Sequence, residues 1–173
     1  MIKDFQPLYA NSPAMPIRVL HVDDEPADLE ITRVFLSREA KGDFEIISVL
    51  SAEEALEKLE SEHFDVIIAD YKMPGLDGIE FLEKVRKSGK HTDLIPFIIF
   101  TGQGGAEVAE EALNKGADRY ITKAGNPASQ CNELARAIRE LVLVNGKKRL
   151  KELCESEKRL SLLVIGGSQY LLL

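Results

Sequence analysis

Five positions in this sequence carry side chains that could act together on a phosphoryl group. They are the acid pair Asp23–Asp24, the single acid Asp70, the hydroxyl of Thr101 beside Gly102, and the amine of Lys123. Three carboxylates on one rim repel one another, by roughly 4 kcal/mol per pair at 4 Å in an effective dielectric of 20. One divalent cation and one ammonium would neutralise them. The donors are hard oxygens, with no His or Cys among them, so Mg²⁺ is the cation expected and Mn²⁺ its substitute. A carboxylate beside a divalent metal, a lysine and a hydroxyl is arranged to attack phosphorus. Adding a phosphoryl group to Asp70 replaces a charge of −1 by about −2. Thr101 could donate its hydroxyl to the new oxygens, and Gly102 leaves room for them.

These residues need elements that bring them together. Short β-rich runs recur at 17–22, 44–49, 64–69, 95–100 and 119–122,. Stretches of helical period lie between them, marked by Leu29, Val34 and Leu36, then Ala55, Leu56 and Leu59. Ile79, Leu82 and Val85 mark the third stretch, and Val108, Ala112 and Leu113 the fourth,. Local chemistry opens the helices. Pro26 suits a first-turn position, Ser51 with Glu54 and Asp77 with Glu80 form capping boxes, and Asn126–Pro127 opens a fifth helix. Strands alternating with helices imply an α/β fold with a parallel sheet, because parallel strands need crossovers. The runs VIIA and IPFIIF are apolar on both faces, as strands covered on both sides must be,. Such sheets bind ligands beyond the carboxyl ends of their strands, where all five positions fall. A lone acid at a strand end is ordinarily a solvated loop residue; five such positions on one rim are not.

The chain has 173 residues, 45% of them apolar, and a net charge of −7. That acidity argues against nucleic-acid or polybasic membrane binding. Cys131 and Cys154 are 23 apart with no CxxC pair, so neither a zinc site nor a disulfide framework follows,. They read as plain helix residues in a reducing cytoplasm. No apolar run reaches the roughly 18 residues of a membrane span, and the N-terminus has no signal-peptide pattern. Residues 1–16, with Pro7, Pro13 and Pro16, read as a flexible leader,.

The stretches LHVDDEP, ADYKMPGLDGIEFL, IIFTGQ and YITK resemble the response-regulator receiver domain of two-component signalling, over about residues 17–145. The resemblance implies a flavodoxin-like (βα)5 doubly wound parallel sheet, strand order 2-1-3-4-5. It makes Asp70 the phosphoacceptor, served by a histidine kinase or a small phosphodonor. Asp24 would ligate Mg²⁺ directly and Asp23 partly through water, with the backbone carbonyl of Lys72 completing the protein ligands. Lys123 would pair with the phosphoryl oxygens. Thr101 would move toward the phosphate and Tyr120 would rotate inward after it, altering the face of the fourth helix, fifth strand and fifth helix. The domain would phosphorylate itself and slowly dephosphorylate, acting as a switch rather than a turnover enzyme. Two alternatives stay open. Phosphatases with an Asp nucleophile carry a second Asp two residues later, where this chain has Lys72, and a binding-only scaffold could use the same fold unphosphorylated. One departure from the family is Ala124, which follows Lys123 where the family has a proline in a cis bond; the isomer here is an open question. Lys72 and Gln103 occupy positions that influence phosphoryl lifetime in the family.

Weaker signals have plainer readings. Tyr120 could equally be a packed strand aromatic, Tyr71 lines the rim, and His21 reads as a strand histidine satisfied by its neighbours. His63 and His91 read as surface residues, and Gly104–Gly105 as a flexible lead-in to the fourth helix. Beyond the fifth helix pattern (Leu134, Ile138, Leu141), Asn145–Gly146 is expected to interrupt the helix. Leu150, Leu153, Leu160 and Val164 then resume an apolar stripe at another phase, among charges. A helix of this kind is marginal alone, so the stripe is expected to pack on a partner or on a second copy as a homodimer. Residues 146–173 therefore read as a helical tail. ESEKRL looks like a linker into a PAS-type sensor domain, so the chain is expected to be a fragment leading to a missing domain.

Overall fold

The computed structural model describes residues 15–40, 42–89 and 92–167, and within these gives no side-chain description for Ala40, Asp93 or 157–167. Most of the expected leader, His91, the side chains of Leu160 and Val164, and residues 168–173 lie outside what is described.

The chain alternates β1 (Ile17–Val22), α1 (Pro26–Ala40), β2 (Phe44–Val49), α2 (Ala52–Ser61), β3 (Val66–Ala69) and α3 (Gly78–Lys87). A 3₁₀ turn at Thr92–Leu94 leads to β4 (Phe97–Thr101), α4 (Ala106–Asn114), β5 (Arg119–Thr122) and α5 (Pro127–Gly167). All strand pairs are parallel and the order is β2-β1-β3-β4-β5. This is the doubly wound sheet expected from the sequence.

Successive residues of the central strands point to opposite faces, and both faces are buried. Leu20, Ile67, Phe97 and Ile99 pack with Ile79, Phe81, Leu82 and Val85 of α3 and Ala112 of α4. Val19, Ile68, Ile98 and Phe100 pack with Leu36 of α1 and Leu134, Ala135 and Ile138 of α5. Truncating any of these leucines or isoleucines to alanine would cost about 2–5 kcal/mol. The two layers hold the strands in register, so the carboxyl ends of β1 and β3 finish level: Val22 stands opposite both Val49 and Ala69.

Several local expectations are corrected. β3 begins at Val66 rather than 64, because the Asp65 carboxylate and N–H are both tied to the Arg18 backbone. β4 begins at Phe97 rather than 95, since Pro96 has no N–H for the ladder and the Ile95 N–H bonds Thr92,. Asp77 and Glu80 form the full capping box. At α2 only half of one forms: Ser51 caps Glu54, while the Glu54 carboxylate reaches the Leu50 N–H. Leu113 is exposed rather than inward-facing. The Lys123–Ala124 bond is trans, as is every other peptide bond among the described residues.

The largest correction concerns α5. Asn145 and Gly146 do not interrupt it; the helix runs unbroken for 41 residues. Asn145 donates its side-chain amide to the Leu94 carbonyl at 3.1 Å, which ties the helix to the body at that point. An interior glycine costs only about 1 kcal/mol against alanine, too little to end a helix propagating from both sides. Cys131 and Cys154 are free helix residues, the first buried and the second exposed.

Candidate phosphoacceptor site

The rim positions are set by backbone hydrogen bonds that continue the ladders one residue beyond the strands. The Asp23 N–H donates to Val49 at 3.2 Å, Asp70 to Val22 at 2.9 Å, and Lys123 to Thr101 at 2.7 Å. Three side chains from distant parts of the sequence therefore leave the sheet at one edge.

Asp23 is almost fully buried (2% exposed), and its Oδ1 accepts the Glu25 N–H at 3.0 Å. Asp70 is 8% exposed, and its Oδ2 accepts the Lys72 N–H at 2.8 Å. The Lys123 ammonium stands between them, 2.5 Å from Asp23 Oδ2 and 3.4 Å from Asp70 Oδ1. It also donates to Asp28 Oδ2 at 2.7 Å and lies 5.4 Å from the centre of the Phe100 ring. A cleft of about 570 Å³ opens over this cluster, lined by Asp24, Met73, Gly102 and Gln103 among others.

Burial pushes the Asp23 carboxyl above its ordinary value, against the lowering effect of Lys123,. Burial would depress the Lys123 amine, but its bonds to Asp23 and Asp28 outweigh that and hold it above the ordinary value.

Gly78 sits behind Asp70. A Cβ there would lie 2.3 Å from the Asp70 carbonyl oxygen, so no larger residue fits this backbone. The Gly78 N–H bonds the Tyr71 carbonyl at 2.8 Å, closing the 71–78 loop under Asp70.

Thr101 is buried, with its hydroxyl committed to the loop: it donates to the Gln103 carbonyl at 3.0 Å and accepts the Gln103 N–H at 3.1 Å. Unlike Gly102, it does not line the cleft. Tyr120 is turned in, and its hydroxyl is buried with no hydrogen-bond partner among the described residues. That hydroxyl rests above Gly104, whose φ is +126° and where a Cβ would lie 2.7 Å from it. Burial, and then the Asp70 charge, raise the phenol above its ordinary value.

Asp23, Asp24, Asp70 and Lys72 share the cleft and offer only hard oxygens to a cation, which suits Mg²⁺ or Mn²⁺,. Among the described residues no three His, Cys, Asp or Glu side chains are grouped closely enough to hold a metal by themselves. The ammonium of Lys123 bridges Asp23 and Asp70 instead.

Residues 19–135 match the family model described as the response regulator receiver domain. This chain belongs to that family. The receiver is 33% identical over 129 residues to the response regulator Rre1 of Synechocystis, covering 75% of this chain and 53% of that protein. It is 34% identical over 108 residues to the transcriptional regulatory protein TrcR of Mycobacterium tuberculosis, covering 62% of this chain and 40% of that one. The chain thus spans about half the length, or less, of these curated relatives. A CheY-like receiver from Methanospirillum hungatei superposes with a TM-score of 0.65 at 34% identity, covering 77% of this chain and 98% of that one. The chemotaxis regulator CheY4 of Vibrio cholerae superposes with a TM-score of 0.62 at 29% identity, covering 71% and 99%.

The receiver contains features that sequence reasoning did not single out. Asp28 shares Lys123 with Asp23, and its place in the first turn of the helix that follows the acid pair was the available signal. Gly78 was visible only as one residue of the stretch ADYKMPGLDGIEFL. His21 is the opposite case. It is buried as a strand histidine should be, but among the described residues neither ring nitrogen has a partner, so its neighbours there do not satisfy it. Desolvation, with Lys123 adding to it, pushes its pKa down to about 3. His63 is on the surface as expected. Among the described residues no helix is long and apolar enough to cross a membrane.

Proposed function

We propose that this receiver is a phosphorylation-operated switch in which Asp70 is the acceptor. An Asp70 carboxylate oxygen attacks phosphorus. The bond from phosphorus to the donor's nitrogen or oxygen breaks, and the leaving group departs with the electron pair. A histidine kinase or a small acyl phosphate serves as donor. The observation that carries this reading is the Lys123 ammonium held between Asp23 and Asp70 at the sheet rim. A cationic donor beside the acceptor carboxylate can follow the charge that develops on the incoming oxygens.

Mg²⁺, or Mn²⁺ in its place, would be held by Asp23, Asp24, Asp70 and the Lys72 carbonyl, and would supply charge neutralisation at the phosphoryl oxygens. The Thr101 hydroxyl would leave Gln103 for those oxygens, with Gly102 giving them room. Loss of the group is hydrolysis: water attacks phosphorus, the bond to Asp70 breaks and inorganic phosphate leaves. A phosphatase cycle is disfavoured because Lys72 stands where such enzymes place their acid.

Output would run through α4, β5 and α5. Tyr120 of β5 packs near Val108 of α4, so movement at Thr101 can be passed to that face,. Residues 17–145 would form the switching unit. The rest of α5, with Leu150 and Leu153 exposed, would act as a linker that pairs with a second copy or a further domain in the cytoplasm.

Incubation with acetyl phosphate and Mg²⁺, read by intact mass, tests the acceptor. One phosphoryl group is expected on wild type and none on Asp70→Asn. No addition to wild type, or equal addition to the variant, would sink the proposal.

A further inference from the structure

The first turn of α1 carries an acid that phosphoryl transfer to Asp70 does not call for. The Lys123 ammonium has three N–H bonds to give. One goes to Asp23 at 2.5 Å and one to Asp28 at 2.7 Å, while Asp70 at 3.4 Å lies beyond the ordinary range for such a bond,. The cation nearest the acceptor is therefore held chiefly by two other carboxylates. They differ in kind. Asp23 is buried and fixed from behind by the Glu25 N–H. The Asp28 side chain is 40% exposed and sits at a helix N-terminus, where an anion is favoured without any lysine,.

A phosphoryl group on Asp70 would add roughly one negative charge and three strong acceptor oxygens. Lys123 would have to move onto them, which breaks its bond to Asp28. That leaves the Asp28 carboxylate unpaired beside a newly formed dianion, so the same acid opposes the phosphorylated state twice.

We propose that Asp28 is a positioning residue that draws the Lys123 ammonium away from Asp70 and shortens the life of the phosphorylated state. The inference rests on the phosphoacceptor reading above and adds to it a residue that sets the resting balance. Removing the carboxylate frees Lys123 for the phosphoryl oxygens.

The test compares wild type with Asp28→Asn, Asp28→Ala and Asp28→Glu, each phosphorylated with acetyl phosphate and Mg²⁺. The phosphorylated fraction is followed by intact mass after the donor is removed, and thermal melts check the fold. Asn and Ala should lengthen the phosphoryl lifetime about 2- to 5-fold, the range of a partly exposed ion pair, and Glu should return it to near wild type. A purely structural role would lower the melting temperature of the Asn and Ala variants without that lengthening or that rescue. A second measurement needs no phosphoryl group: the ¹⁵Nζ resonance of Lys123 should shift, and its protons exchange faster, in Asp28→Asn. If wild type is phosphorylated but the Asn variant loses the group as fast or faster, the inference is overturned and the acceptor reading stands. An unchanged Lys123 resonance overturns it equally. No phosphoryl group on wild type overturns both.

Discussion

Gly78 and Asp70 are in backbone contact: a Cβ at 78 would fall 2.3 Å from the Asp70 carbonyl oxygen. The loop from 71 to 78 is closed on that contact, with the Gly78 N–H on the Tyr71 carbonyl. Because the obstacle is main chain, a larger residue must move the Asp70 strand end itself. Gly78→Ala is expected to destabilise the domain by about 1–3 kcal/mol in urea unfolding and to slow phosphorylation of Asp70. Unchanged stability would show that the loop yields freely and does not locate the acid.

Tyr120 depends on Gly104 in a similar way. Its hydroxyl fills the space a side chain at 104 would take, and the φ of +126° adds strain for any other residue,. Gly104→Ala should turn the ring outward and bring the phenol pKa down toward its ordinary value, readable by ultraviolet titration against Tyr120→Phe. The latter removes a buried hydroxyl that has no partner among the described residues, so its stability should match or slightly exceed wild type,.

His21 predicts a pH dependence of known sign. Its folded pKa of about 3 lies below the unfolded value of 6.5, so the unfolded chain binds the extra proton between them,. The contribution to stability is complete above pH 6.5 and is lost as the pH falls toward 3. The slope is at most about 1.4 kcal/mol per pH unit. His21→Leu should flatten that part of the stability profile relative to wild type, and the wild-type ring should show no NMR titration above pH 5. A ring that titrates near 6.5 in the folded protein would refute this.

The continuity of α5 is testable at Gly146. Among the described residues nothing lies within 4 Å of a Cβ built there, and the residue is in the helix interior. Gly146→Ala should raise stability or helicity, by about 0.5–1 kcal/mol where the segment unfolds with the domain. A helix that ended at this glycine would make the same change neutral or harmful.

Much of this receiver was legible in one dimension because the signals are local. The period of apolar residues follows strand and helix geometry, the Asp77 cap reports a helix start, and the order of Asp23, Asp24, Asp70, Thr101 and Lys123 follows the strand ends. That they share one rim then follows from a parallel sheet, while which of them meet depends on the strand order. Asn145–Gly146 misled for the same reason: a poor local propensity is a small cost, and a helix already packed along the sheet absorbs it.

Which group satisfies which is a different kind of fact. That Lys123 gives its hydrogen bonds to Asp23 and Asp28 and only an ion pair to Asp70, that Thr101 is tied to Gln103, and that the His21 ring finds no partner among the described residues depend on how α1 docks and where each strand ends. A hydrogen bond is lost within a few tenths of an ångström. Composition and spacing place side chains to within a turn or a strand, so the acids were readable from the chain and their bonding was decided only by the packed fold.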